Sequence, residues 1–127
     1  MIRTIISIQL YKEASVLECI FCNIIEGKLP AEFVYQDEDI VAFHDVQPQA
    51  PVHFLVVPKA HITDLNTFDN DALVGRILKV AKKLATEHGI AESGYRLVAN
   101  CNAAGGQTVY HVHFHLLGGR NMTWPPG

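Results

Sequence analysis

The spacing of apolar and polar positions predicts one long helix in the middle of the chain. Between Asn70 and Glu87 apolar residues recur every three or four positions, with lysines on the opposite side, which is typical of an amphipathic helix. The apolar stripe consists of Leu73, Ile77, Val80, Ala81 and Leu84. Asp71 favours the start of this helix and Gly89 favours its end.

Short runs of β-branched and aromatic residues, bounded by turn residues, predict strands elsewhere. These runs are Phe33–Gln36, Ile40–His44, His53–Val57, Tyr95–Asn100 and Val109–Leu117. A short helical turn is predicted at Cys19–Gly27, and the proline-containing segment Gln47–Pro51 is predicted to be a loop. Because short turns join the strands, we expect an antiparallel sheet and the α+β class.

Three histidines alternate with apolar residues in the last predicted strand, at His111, His113 and His115. Alternation with period two places their imidazoles on one face, about 6.5–7 Å apart along a strand. Because a packed core needs no row of imidazoles, we interpret this face as a reaction site. A metal site is the alternative, since His-Xaa-His on a strand offers two zinc ligands.

The middle histidine, His113, is the predicted nucleophile. A neutral imidazole has a pKa near 6.5, and its free nitrogen can attack phosphorus to form a labile phosphoramidate. The loop Gly105–Thr108 lies directly before the predicted histidine strand and offers unshielded N–H groups and a hydroxyl for anionic oxygens. A plain β-turn also explains the glycine pair.

Composition restricts the class of protein. A chain of 127 residues with 49% apolar and 18% charged residues fits one globular domain, and a net charge of −3 argues against general nucleic-acid binding. No apolar run reaches the ~20 residues of a membrane span. The apolar stretch at the N-terminus is too short for a secretory signal. We therefore expect an extension over residues 1–17, a domain over residues 18–127, and a cytoplasmic protein with reduced thiols.

A second motif is Cys19-Xaa-Xaa-Cys22. A redox function is disfavoured because the context of a thioredoxin motif is missing. Zinc requires four ligands, and two more are available in His61 and His111. The sequence therefore leaves a structural zinc site open.

The chain resembles the histidine-triad (HIT) family, whose pattern alternates three histidines with apolar residues. The matching segments are HVHFHLL, CIFCNII, AFHDVQPQAPVHFLVVPKAHI, GYRLVAN and the terminal WPPG. Together they cover most of the chain after residue 18. The ending GGR…WPPG is similar to the nucleotide-binding, phosphoramidase branch, rather than to the dinucleoside polyphosphate hydrolases.

This resemblance implies a five-stranded antiparallel sheet with one long and one short helix, paired as a homodimer. It implies that His113 attacks the α-phosphorus of a purine nucleoside phosphoramidate, with an AMP or GMP moiety bound over the sheet. Water then hydrolyses the nucleotidyl-histidine, and no cofactor is required for catalysis. The rival functions are a dinucleoside polyphosphate hydrolase and a non-catalytic, zinc-stabilised nucleotide-binding module.

The resemblance also assigns roles to single residues. Contacts to the phosphate or the reacting groups are implied for His111, His115, Asn100, Gly106, Gln107 and Thr108. A base pocket is implied at Phe21, Ile24, Phe43 and Val46. Asp45 would bind the ribose, His53 would stand beside the nucleophile, and Trp124 would shape leaving-group selectivity. Some relatives hold structural zinc with residues matching Cys19, Cys22, His61 and His111.

These assignments have simpler alternatives. The three apolar residues Phe21, Ile24 and Phe43 fit an ordinary core, Asp45 fits a turn cap, and His53 fits a buried, hydrogen-bonded histidine. The group that protonates the leaving amine is His53 or His115.

Overall fold

Five strands form one sheet over the residues that the structure, a computed structural model, describes, which are 18–127. They are β1 (Phe33–Gln36), β2 (Ile40–His44), β3 (Val52–Pro58), β4 (Tyr95–Val98) and β5 (Phe114–Gly118). Their spatial order is β1-β2-β3-β5-β4, and every neighbouring pair is antiparallel. The predicted class and sheet are confirmed, whereas the predicted extension over residues 1–17 lies outside the described residues.

Two α-helices accompany the sheet, α1 (Ile20–Ile25) and α2 (Asp71–Glu87), which confirms one short and one long helix. Asn70 caps α2, because its side-chain oxygen accepts a hydrogen bond from the Leu73 N–H at 3.0 Å. Beyond the other end Gly89 has a φ of +75°, a left-handed conformation that glycine adopts without strain. Within residues 18–127 no helix combines the length and the apolarity that crossing a bilayer requires.

The two faces of the sheet carry different chemistry. On one face α2 packs its apolar stripe against side chains of the central strands, namely Ile40, Ala42, Phe54, Val56, Phe114 and Leu116. On the opposite face α1 packs against the alternate residues of β2 and β3, namely Val41, Phe43, Leu55 and Val57. Because His115 pairs directly with Leu55, its side chain lies on this second face, which we call the site face.

The predicted strand over Val109–Leu117 is wrong in its first half, because β5 begins only at Phe114. Continuing the register of β3 and β5 would place Val112 opposite Pro58, which has no N–H to donate. The Pro58 carbonyl instead accepts from the His111 ring at 2.7 Å, and the Val112 N–H donates to the loop after β3. Only the last of the three histidines therefore lies in a strand. The other predicted strand ends agree to within two residues.

Candidate active site

A cleft of about 480 Å³ opens on the site face. Its apolar end is lined mainly by α1, β2 and the segment that leads into β1, with Ile20, Phe21, Ile24, Leu29, Ala31 and Phe43. Its polar end is lined by Asp45, Asn100, Gly106, Thr108, His113 and His115. An apolar pocket with a few convergent polar groups suits a ligand that is flat and apolar at one end and charged at the other.

The residues predicted to form a base pocket all line the cleft. Phe21 and Phe43 meet edge to face with ring centroids 5.6 Å apart, and both are almost fully buried. Val46 also lines the cleft but is 92% exposed, so it lies at the rim. Sequence reasoning missed Ile20, Leu29 and Ala31, which carry no signal that separates them from ordinary surface or core residues.

The His113 ring is oriented by its own chain. Its Nδ1 lies 2.7 Å from the main-chain oxygen of His111. A carbonyl only accepts hydrogen bonds, so Nδ1 carries the proton and donates it. Burial lowers the pKa of His113, which keeps the ring neutral at pH 7. The remaining nitrogen, Nε2, therefore holds a bare lone pair, which is the state that a nucleophile requires.

A second chain of hydrogen bonds sets the tautomer of His115. The Gln49 N–H donates to His53 Nδ1 at 2.9 Å, so a neutral His53 carries its proton on Nε2. His53 Nε2 lies 2.9 Å from His115 Nδ1 and donates to it. His115 is then left with its own proton on Nε2. The cleft is thus lined by one imidazole that has a free lone pair and by another that has a free N–H.

The charge state of these rings follows from their surroundings. Burial, together with the neighbouring His113 and His53, lowers the pKa of His115 to about 4. Burial also lowers the pKa of His53, although Asp45, 3.4 Å from its Nε2, acts in the opposite direction. All three rings are therefore neutral at pH 7, as the tautomer assignment requires.

Two N–H groups of the glycine loop donate to carbonyls a few residues earlier in the chain. The Gly106 N–H donates to the Ala103 carbonyl, and the Gln107 N–H donates to the Asn102 carbonyl. The Gln107 side chain is buried, accepts from the Asn102 N–H and donates to two carbonyls, and it does not line the cleft. The contact predicted between Gln107 and the nucleotide stays a prediction that this placement does not support. The main-chain N–H and the side-chain amide of Gln107 both stabilise the loop. The loop in turn presents Gly106 and Thr108 to the cleft.

Glycine is required at position 105 for a packing reason. A Cβ there would lie 2.5 Å from the Cys101 carbonyl oxygen, a distance that no side chain tolerates. Gly106 has a φ of +84°, which also favours glycine. Close packing of the turn accounts for the glycine pair, so the pair alone is not evidence for phosphate binding.

His111 does not line the cleft, which corrects its predicted place in the catalytic row. Its buried ring belongs to a second cluster with Cys19, Cys22 and His61, whose ligand atoms all lie within 4.8 Å of one another. Cys19 Sγ is 3.3 Å and Cys22 Sγ is 3.5 Å from His111 Nδ1. Cys22 Sγ is also 3.3 Å from His61 Nδ1.

This second cluster fits a tetrahedral zinc ion. Zinc–sulfur and zinc–nitrogen bonds of usual length place neighbouring ligand atoms about 3.5 Å apart, close to the separations found here. His111 donates its Nε2–H to the Pro58 carbonyl, which leaves the Nδ1 lone pair directed at the thiols. Burial lowers the pKa of His111 to about 4, so that lone pair is available at pH 7.

Trp124 lies outside the cleft of its own chain. Its side chain is 82% exposed, and the preceding Thr123 carbonyl accepts a hydrogen bond from Arg96. Within residues 18–127, nothing therefore brings Trp124 to the polar end of the cleft.

The sequence did not predict the function of Gln49, whose main-chain N–H orients His53. A main-chain N–H is present in almost every residue type, so the identity of the residue does not reveal it. Arg120 holds the same position in place, since its Nε donates to the Gln49 carbonyl at 2.8 Å.

Comparison with known proteins agrees with this geometry. Residues 26–122 match the HIT domain family. An uncharacterized HIT-like protein of Synechococcus elongatus is 52% identical over 112 residues, which cover 87% of this chain and 97% of that protein. The purine nucleoside phosphoramidase of Escherichia coli is 49% identical over 107 residues, which cover 83% of this chain and 90% of that enzyme.

Solved structures share the fold. A HIT family hydrolase from Legionella pneumophila superposes with a TM-score of 0.85 at 54% identity, covering 87% of this chain and all of the other. A histidine triad nucleotide-binding protein from Candida albicans gives a TM-score of 0.75 at 35% identity, covering 85% of this chain and 83% of the other. The chain therefore belongs to the HIT family and is a hydrolase.

Proposed function

We propose that this hydrolase cleaves purine nucleoside 5′-phosphoramidates or aminoacyl adenylates through a covalent nucleotidyl-histidine. The proposal depends on the orientation of the His113 ring, which lines the cleft. Its Nδ1–H donates a hydrogen bond to the His111 carbonyl, and its Nε2 is free. The substrate class is supported by the Escherichia coli relative, which is named a purine nucleoside phosphoramidase.

The two ends of the cleft support one placement of such a substrate. The purine packs at the apolar end against Phe21 and Phe43, where the two aromatic rings offer flat apolar surface. The ribose hydroxyls face the Asp45 carboxylate, and the phosphate faces Asn100 and Thr108. This placement brings the α-phosphorus to the polar end, next to the free nitrogen of the nucleophile.

In the first step His113 Nε2 forms a bond to the α-phosphorus while the bond from phosphorus to the substrate nitrogen breaks. The amine departs with the electron pair of that bond and takes a proton from His115 Nε2–H. His53 donates to the other nitrogen of His115 and supports transfer of a replacement proton. The Nε2–H of His53 is directed at His115, whereas the Nε2–H of His115 is free to reach the substrate. We therefore assign the protonation of the leaving group to His115.

In the second step a water molecule returns one proton to the His53–His115 pair and its oxygen attacks the phosphorus, while the His113–phosphorus bond breaks. The product is a nucleoside monophosphate, and His113 recovers its lone pair. No step requires a metal ion or an organic cofactor.

The proposal is tested by intact-mass spectrometry after mixing the protein with adenosine 5′-phosphoramidate. We expect an adenylyl adduct on the wild type and none on His113→Ala. The matched control is His88→Ala, which removes a histidine at the C-terminal end of α2, remote from the cleft, and should retain the adduct. No adduct on the wild type, or faster turnover of a diadenosine polyphosphate than of the phosphoramidate, would contradict the proposal.

We also propose that Cys19, Cys22, His61 and His111 bind one structural zinc ion. When bound, the ion would join α1 to the segment before β5 and stabilise the fold without entering the reaction. The separations of the ligand atoms and the orientation of His111 support this assignment. Metal analysis of the purified protein, with Cys22→Ser as the variant, is the direct test, and a metal-free wild type would contradict it.

A homodimer is the proposed assembly. Strand β4 is an edge strand with half-buried side chains, and an edge strand offers unpaired backbone groups to a second copy. The exposed Trp124 supports a contact outside its own subunit. Light scattering coupled to size exclusion should give twice the mass of the chain, and a monomer at micromolar concentration would overturn this proposal.

A further inference from the structure

The candidate zinc cluster and the cleft share one stretch of main chain. The His111 ring lies against the two thiols, with Nδ1 at 3.3 Å from Cys19 Sγ. The carbonyl of the same residue accepts the Nδ1–H of His113 at 2.7 Å. Any change in the placement of His111 therefore changes the orientation of the nucleophile.

Phe21 provides a second connection, independent of the first. It stands between the two cysteines of the motif in sequence, and its side chain lines the cleft. Its ring centroid is 5.0 Å from that of His113 and 5.9 Å from that of His111, edge to face in both cases. The placement of the two thiols thus determines where one wall of the cleft lies and what packs against the nucleophile.

Helix α1 cannot hold this placement by itself. It has six residues, well below the length at which an isolated helix is stable in water. Its N-cap is the Cys19 sulfur, a weak acceptor that lies 3.4 Å from the Cys22 N–H. The position of α1 therefore depends on tertiary contacts. A bound zinc ion would add to them, because it would link the two cysteine sulfurs to His61 and His111.

We infer that metal binding at Cys19, Cys22, His61 and His111 and nucleotide binding in the cleft reinforce each other, because both require one placement of α1 and of His111–His113. This inference rests on the proposed function, since it takes the cleft as the nucleotide site. Coupling between two sites is reciprocal: if zinc tightens nucleotide binding, the nucleotide tightens zinc binding by the same factor.

The experiment measures AMP binding by calorimetry to the full chain, once zinc-loaded and once treated with a chelator. We expect the Kd of AMP to be at least about fivefold higher without zinc, which is the lower end of typical coupling. Cys22→Ser should reproduce the metal-free value, because Cys22 does not line the cleft. The matched control is Cys101→Ser, which alters the third described cysteine, outside the cluster, and should retain both zinc and the coupling.

Equal AMP affinity with and without zinc would overturn the inference and leave the proposed function intact. The absence of AMP binding in both forms would instead count against the proposed function. If the metal-free chain unfolds, cobalt-substituted wild type replaces it. AMP should then change the thiolate-to-cobalt absorption band, and an unchanged band at saturating AMP would overturn the inference.

Discussion

Two histidine clusters lie side by side on the site face, and they differ in what surrounds the imidazoles. In one cluster His53 and His115 face each other at 2.9 Å, the distance of a hydrogen bond that shares one proton. In the other, His111 and His61 face thiols at 3.3–3.5 Å, which leaves room for an ion between them. The same residue type is therefore placed for acid–base chemistry in one cluster and for metal ligation in the other.

The chemistry available to a histidine therefore depends on the hydrogen-bond partner of each of its two ring nitrogens. His113 and His111 each donate one N–H to a main-chain carbonyl, and each keeps a free lone pair on the other nitrogen. In His113 the free nitrogen belongs to a side chain that lines the cleft, whereas in His111 it faces sulfur. Substitutions that affect one cluster more than the other test whether the cleft histidines carry the chemistry and the histidines beside the thiols carry stability.

The largest effect is expected for His113→Ala. Without the nucleophile, kcat for adenosine phosphoramidate should fall about 10⁴-fold or more, which corresponds to about 5.5 kcal/mol in the barrier. The melting temperature should change little, because the ring lies at the cleft. Steady-state kinetics and thermal melting check both parts, and a loss of less than tenfold in kcat would show that the histidines of the cleft do not carry the chemistry.

Removal of metal should act mainly on stability. If the chain binds zinc, a chelator should lower the free energy of unfolding by about 4 kcal/mol relative to a zinc concentration 1,000 times its Kd. Chemical denaturation with and without chelator measures this change. His61→Ala should lower stability in zinc in the same way, while the chelator-treated variant and wild type should differ little.

His115→Ala should reduce kcat by about 10²-fold for substrates that expel a basic amine, because a general acid contributes of that order. The loss should shrink toward unity for a leaving group that needs no proton. Turnover of a series of phosphoramidates with leaving groups of decreasing basicity measures the trend. A constant loss across the series would place the proton donor elsewhere, with His53 as the next candidate.

The smallest effect concerns pH. The pKa of His115 is about 4 when folded and near 6.5 when unfolded, so the unfolded chain binds the extra proton first as pH falls. Its contribution to stability is therefore fully present above pH 6.5 and is lost as pH falls toward 4. Because the ring keeps some contact with solvent, we expect a loss of about 1–2 kcal/mol. Denaturation at several pH values should show less dependence in His115→Ala, and an equal dependence would contradict the assignment.

Patterns that depend on neighbouring residues could be predicted well. The period of the apolar stripe located α2 to within one residue, and runs of β-branched and aromatic residues bounded by turn residues located β1 and β2. In each case the information is local, since it comes from which side of an element must be buried.

Predictions failed where a group has a partner far away in sequence. The histidine strand is cut short because Pro58, more than fifty residues earlier, bonds to the His111 ring. Gln107 looked available for phosphate, but its side-chain amide donates to the Thr63 carbonyl, 44 residues earlier. Neither contact leaves a pattern in the nearby sequence, so neither could be anticipated from it.

Periodicity and residue type express the helix, the antiparallel strands and the row of histidines directly, so the amino-acid sequence was enough to predict them. The hydrogen-bond partners of each histidine come from the tertiary structure, and they decide which ring is placed to act as a nucleophile, which as a proton donor and which as a ligand. The physical reason is that an imidazole has two nitrogens, and the hydrogen bond made by one of them decides what the other can do. Those bonds are made to Gln49, Pro58 and main-chain oxygens whose positions are set by packing.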